Sequence, residues 1–190
     1  CKACASQCPI KVDIPDLRAR FIQLYHTRYM RPMKDHLVAN VESMAPMMAK
    51  MPRLVNAVLN SPIYDKFSRA TIGYADTPLL SVPTLKDLVI EKRYELFDLG
   101  YFSQLSQKAR DQYVFIVQDP FTSFYDAQTV EDLMSVIKHL GRKPVLLPFK
   151  PNGKPQHVKG FLDRFAKTAR SASDFLNQVS QLNIPMIGLD

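Results

Sequence analysis

The chain has 190 residues, of which 46% are hydrophobic and 23% charged, with a formal net charge of +7. That balance suits a folded domain of ordinary polarity and excludes wholesale disorder. No run approaches the roughly 18 consecutive apolar residues of a membrane-spanning helix, and no charged-then-apolar leader is read at residue 1.

The first feature is Cys1-Lys2-Ala3-Cys4-Ala5-Ser6-Gln7-Cys8-Pro9, which holds every cysteine of the chain. Thiols so close together cannot form a disulfide framework for the rest, and they fit a reducing, cytoplasmic setting with thiolates kept for a metal. Cys1-x2-Cys4-x3-Cys8-Pro9 matches the last three-quarters of C-x2-C-x2-C-x3-C-P, a run that serves [4Fe–4S] clusters. Its close spacing wraps the backbone around a cluster, and the proline ends the wrap. In two-cluster proteins the cysteine before the proline ligates the other cluster, so Cys8 can serve a different cube from Cys1 and Cys4. Zinc is the competing metal, although it usually takes paired knuckles or closely spaced histidines, and the nearest histidine is His26. Three incidental cysteines are the structural alternative.

Residues 1–72 read as a helical segment. Asp13 is a cap and Pro15 suits a first turn. Leu17, Phe21, Leu24, Tyr25 and Arg28 follow at helical spacing. Prolines 32, 46, 52 and 62 are expected to divide residues 31–72 into three short helices. Their methionines (Met30, Met33, Met44, Met47, Met48, Met51) read as filling of core gaps or an interdomain contact, with a flexible binding surface as the alternative. Residues 73–112, broken by Pro78, Pro83 and Gly100, read as a connecting segment in which Thr84-Leu85-Lys86-Asp87 can start a helix.

From residue 113 the pattern alternates. Tyr113–Val117 is a buried strand ended by Asp119-Pro120. Thr129 is expected to cap a helix with the stripe Val130, Leu133, Met134, Ile137 and Leu140, closed by Gly141. Val145–Pro148 is a second strand. Val158, Phe161, Leu162 and Phe165 mark one helix, and Phe175, Leu176, Val179 and Leu182 continue a helical face after Ser171. Ile184–Leu189 is a third strand. The order β-α-β-α-β implies a parallel sheet, buried on both faces, with right-handed crossovers. The fold expected overall is α+β: a helical iron–sulfur segment followed by the first half of an α/β domain over residues 113–190. The missing first thiol and the stop after the third strand are both expected to be cut edges of a longer protein.

Two further features could bind something. Arg142, Lys143, Lys150, Lys154, Lys159, Arg164, Lys167 and Arg170 stand against the single acid Asp163. They read as an anion-binding face for nucleic acid or acidic lipid, or more plainly as a solvated or docking surface, because no nucleic-acid module signature accompanies them. The Lys150–Pro155 loop lies with Asp119–Tyr125 beyond the carboxyl ends of the strands, where parallel sheets bind ligands. A surface turn built on Asn152-Gly153 is the alternative. His36, His139 and His157 read as surface or cap residues.

The cysteine run with the Pro9–Pro15 stretch resembles the iron–sulfur segment of bacterial FAD-linked oxidases of the D-lactate, glycolate and D-2-hydroxyglutarate dehydrogenase type. Phe121–Asp126, the helix to Gly141 and Ile184–Asp190 are similar to the first half of the cysteine-rich domain of those proteins. The resemblance implies that Cys1, Cys4 and Cys8 ligate a [4Fe–4S] cluster, with the fourth cysteine three positions ahead of residue 1. It also implies an electron relay from FAD, held by another domain of the same polypeptide, to an acceptor such as a quinone. It implies no nucleic-acid partner and a cytoplasmic site, peripheral at the inner face of the membrane. Asp119-Pro120 and Pro151–Pro155 stand where that family carries further cysteines, so a second metal site in the sheet domain is not expected. No residue here is expected to be catalytic or to bind FAD. The runner-up is a non-redox module using the basic face, and a zinc-stabilised structural module is a third reading.

Overall fold

A computed structural model describes residues 9, 12–71, 73 and 77–189. The cysteine assignments to Cys1, Cys4 and Cys8 lie outside the described residues.

The sheet is built around one strand. β2 (Tyr113–Val117) is apolar at every position, so it can be satisfied only by cover on both faces. Val114 and Ile116 enter one core with Leu85, Leu88, Val130 and Met134. Tyr113 and Phe115 enter the other with Phe102, Val145, Leu147 and Val179. β3 (Lys143–Leu146) flanks β2 on one side and β4 (Met186–Gly188) on the other, both parallel to it. The short strand β1 (Glu95–Leu96) pairs with β3, giving the order β1-β3-β2-β4. The expected parallel β-α-β-α-β unit is therefore present, with one strand more. β4 departs from the expectation of burial on both faces: it is an exposed edge strand. Pro144 is tolerated inside β3 because Lys143 and Leu147 turn their N–H groups toward β2. The alternate position faces β1, whose pairing starts only at Val145.

The segment expected to be a connector contributes packing. Its helix α6 (Leu85–Glu91) starts with a reciprocal Thr84–Asp87 capping box and buries Leu85, Leu88 and Val89. After β1, α7 (Leu99–Gln104) buries Phe102 completely against the second core, and α8 (Gln107–Arg110) leads into β2.

Between β2 and β3 run α9 (Pro120–Tyr125) and α10 (Ala127–His139). α10 starts two residues before the expected cap: Asp126 is its N-cap, and Thr129 instead donates to the Asp126 carboxylate at 2.6 Å. Its far end closes as expected. Gly141 sits at φ +77, and the N–H groups of Gly141 and Arg142 return to Lys138 and Ile137. Leu140, expected in the buried stripe, is 75% exposed. After β3, α11 (Lys154–Val158) ends before Phe161, and α12 (Leu162–Ser180) runs unbroken through Ser171, where two helical faces were expected.

Residues 12–71 form a helical arm: α1 (Ile14–Arg28), α2 (Met33–Ala39), α3 (Val41–Met48), α4 (Pro52–Leu59) and α5 (Pro62–Thr71). α1 begins as read, with Asp13 accepting from the Asp16 N–H at 3.0 Å. The arm after it has four pieces where three were expected, because the chain breaks at Asn40 while Pro46 is carried inside α3. The apolar spacing of α1 does not mark its buried face. Leu17, Phe21, Leu24 and Tyr25 are exposed, and Ala19 is the one residue of the helix that is buried. The methionines behave likewise: Met30, Met33, Met44, Met47 and Met51 are exposed, so filling of core gaps is not the role of these five, while Met48 is half-buried.

Ala19 is buried because Gly160 sits on it. A Cβ on Gly160 would lie 2.8 Å from both the Ala19 carbonyl oxygen and the Gln23 nitrogen, and Gly160 has φ +66. Gly160→Ala is expected to cost about 2 kcal/mol or more, from the left-handed backbone and the clash together. Gly141→Ala, with nothing within 4 Å of its Cβ, should cost only about 1 kcal/mol. Urea denaturation measures both, and hydrogen exchange should show α1 loosened in the first variant alone.

Candidate functional site

Two groups of residues converge where the arm meets the sheet domain. The first is a polar seam along α1, α2 and α11. Lys159 donates to Asp35 at 2.7 Å, and His26 lies 3.9 Å from the other Asp35 oxygen. His157 lies 3.6 Å from Asp16, and Gln23 donates to Asp163 at 3.3 Å. The Arg31 guanidinium donates to the carbonyls of Lys159 and Gly160 and stacks 3.9 Å above the Phe161 ring. His26 and His157 are therefore nearly buried partners of carboxylates, which corrects the reading of His157 as a surface or cap residue. His139 is exposed, as read, and its ring meets the Ser135 carbonyl one turn back in its own helix at 2.8 Å. Among the described residues no three His, Cys, Asp or Glu side chains group as metal ligands.

The seam also disperses the basic face. Lys159 is held by Asp35, Arg164 donates to Asn40, and Arg142 donates to the Asp111 carbonyl. Lys143 and Lys150 lie over the rings of Tyr113 and Phe175. Cations used this way do not form one open surface for a polyanion.

The second group lies at the carboxyl ends of the strands. The Lys150–Pro155 loop is neither an open anion site nor a surface turn, because the arm occupies it. Glu42, 1% exposed, projects from α3 into the loop and accepts from the Gly153 N–H at 2.8 Å and the Asn152 N–H at 3.4 Å. Gly153 is required for this grip: its φ is +81, and a Cβ there would lie 2.8 Å from the Phe165 ring. Burial pushes the Glu42 carboxyl above its ordinary value, against the two N–H groups that stabilise its charge; Asp119 adds to the push and Lys154 opposes it. Nothing in the residue pattern singled out Glu42. The sole hint was one acid in the apolar stretch Val41–Met48.

Beside this clamp a crevice of about 960 Å³ opens over the ends of β1, β3 and β2. Its floor is Phe97, Leu147 and Phe149, and its roof is Pro46, Lys50 and Pro52 from the arm. Gln118, just past β2, donates to the Leu147 carbonyl at 2.7 Å and bridges the two strand ends. The roof is tied down through Asn56, which both donates to the Leu80 carbonyl and accepts from its N–H. The next residue, Ser81, is bonded to α9 and α10 through the Phe124 carbonyl and the Ala127 N–H. No described helix is long and apolar enough to cross a membrane.

Over all 190 residues the chain is 53% identical to a D-2-hydroxyglutarate dehydrogenase of Escherichia coli and 56% identical to one of Pantoea ananatis. A protein of the same name from Pseudomonas putida is 36% identical over the same span. In each case the chain spans 19% of the relative's length. No family model matches, and no solved structure does.

The buried carboxyl gives the clamp a pH signature. A folded-state value above the unfolded one means that the linked stability is complete below the unfolded value and is lost as pH rises through the folded value. Glu42→Gln should remove that decline, giving a flatter stability profile as pH rises above the ordinary glutamate value of about 4.3. Glu42→Ala should cost about 2–3 kcal/mol at low pH and less as pH rises, because the Gly153 and Asn152 N–H groups lose their acceptor while the variant has no carboxyl to titrate. Urea unfolding across that range reads both; an unchanged slope in Glu42→Gln contradicts the assignment.

Proposed function

We propose that this chain is the electron-relay part of a flavin-linked D-2-hydroxy acid dehydrogenase whose substrate is D-2-hydroxyglutarate. The observation that carries the reading is the similarity, 53% identity across every residue, to a protein of that name. The arrangement Cys1-x2-Cys4-x3-Cys8-Pro9 supports the finer assignment. Three thiolates at that spacing have the donor chemistry of a [4Fe–4S] ligand set, and the fourth donor is assigned to sequence outside these 190 residues. With flavin and cluster bound, the two groups supply the redox chemistry: two-electron oxidation of the 2-hydroxy acid at the one, one-electron transfer at the other.

The chain's own residues have a holding role on this reading. Pro9 and the Asp13-capped α1 lead directly from the thiols into the seam. The contacts of Gly160, Asp35, His157 and Asp163 then hold α1 in place. The partners are the flavin-bearing domain of the same polypeptide and an acceptor such as a quinone, met at the cytoplasmic face of the membrane.

The test is made on a polypeptide of the relatives' length, purified without oxygen. The wild type should carry iron and sulfide in multiples of about four per chain and reduce an acceptor with D-2-hydroxyglutarate in preference to D-lactate or glycolate. Cys4→Ala should lose iron and acceptor reduction while substrate still bleaches the flavin. Zinc in place of iron, or a Cys4→Ala variant with full iron and activity, would sink the relay assignment.

A further inference from the structure

The crevice over the strand ends has the features of a binding site that the electron relay does not use. The helices that leave β2 and β3 diverge: α10 packs with Val114 and Ile116 of β2 on one face, and α12 packs with Val145 and Leu147 of β3 on the other. Where adjacent parallel strands send their connections to opposite faces, a crevice forms beyond their carboxyl ends, and ligands of open α/β sheets bind there. A volume of about 960 Å³ lies within the range of small-molecule sites, roughly 300–1,000 Å³.

The lining specifies the chemistry of the occupant. Phe97, Phe124 and Phe149 form an aromatic wall, with the Phe124 and Phe149 rings 4.9 Å apart and nearly perpendicular. Ser123 belongs to the same wall and is 2% exposed, yet its hydroxyl has no hydrogen-bond partner among the described residues. An unmet buried hydroxyl costs about 1–3 kcal/mol unless something else meets it. The charged groups around the crevice are Lys50, Lys86 and Asp87. The Asp87 carboxylate is already committed, accepting from the Thr84 N–H at 3.0 Å and hydroxyl at 2.8 Å. Lys86 also acts on that carboxylate, and Lys50 is the second cation of the lining.

We propose that this crevice binds a small organic anion with a flat aromatic body. The rings lie against Phe97, Phe124 and Phe149, a hydrogen-bonding group meets Ser123, and the anionic group lies toward Lys50 and Lys86. The site does not depend on the relay reading, because none of its groups is a thiol or touches a metal.

The probe is 6-hydroxy-2-naphthoate, compared with 2-naphthoate and 2-naphthol, titrated by calorimetry into the purified protein. The wild type should bind the first saturably. The Lys50→Glu, Lys86→Glu double variant should bind both carboxylates about tenfold more weakly and leave 2-naphthol unchanged. Ser123→Ala should melt at a higher temperature and lose the wild type's preference for the hydroxylated naphthoate over 2-naphthoate. Absence of saturable binding, or binding that both variants leave unchanged, overturns the proposal. Neither result bears on iron content or dehydrogenase activity, so failure here is distinguishable from failure of the relay.

Discussion

The constraint on which the rest of this structure depends is the all-apolar strand β2. A strand that is apolar at every position must be covered on both faces, and parallel neighbours with helical crossovers supply that cover. Phe115 and Ile116 point to opposite cores and are 0% and 1% exposed. Removing a ring such as that of Phe115 would cost about 3–5 kcal/mol, a large part of a typical domain stability of about 5–15 kcal/mol. The position of the candidate sites follows from this. With α10 on one face and α12 on the other, the ends of β2 and β3 are left open in the middle of the sheet.

The helical arm meets that open end through contacts of a different kind. Its apolar stripe points outward, while its docked face is small and polar: Ala19 on Gly160, Glu42 in the Gly153 loop, Asp35 between Lys159 and His26. Burying carboxylates is costly unless each oxygen is met, and here backbone N–H groups and cations meet them. Such contacts add little net stability. They fix one orientation, because a small slip would leave a buried charge unpaired. The exposed leucines, phenylalanines and methionines of α1–α5 form the opposite kind of surface, of the type that marks contact with another body.

How much of this could be read beforehand depends on how local the governing physics is. The cap at Asp13, the helix start at Thr84, the turn at Gly141 and the strand at residues 113–117 are decided within a few residues, and they were legible; the second strand, read over residues 145–148, lies two residues earlier at Lys143–Leu146. The β1 strand was not, because two residues between helices carry no period and acquire strand geometry only by pairing with Val145 and Leu146. The division of the arm was misread because Pro46 is accommodated inside α3. The stripe on α1 misled for a related reason: spacing identifies an apolar face but not the surface it will meet, and Gly160 selected the other face.

By itself the sequence determined the covalent chemistry and the local elements. Three thiols stand in a cluster-type spacing, a strand must be buried on both sides, and the caps and glycines begin and end helices. These follow from side-chain chemistry and backbone sterics acting over a turn or less. Only the tertiary structure decided that Glu42 would fill the Asn152–Gly153 loop, that His26 and His157 would lie against carboxylates, and that Ser123 would be buried beside an open crevice. Each of those outcomes joins residues far apart in the chain, and its energy exists only after β2 has drawn both layers of helices into place.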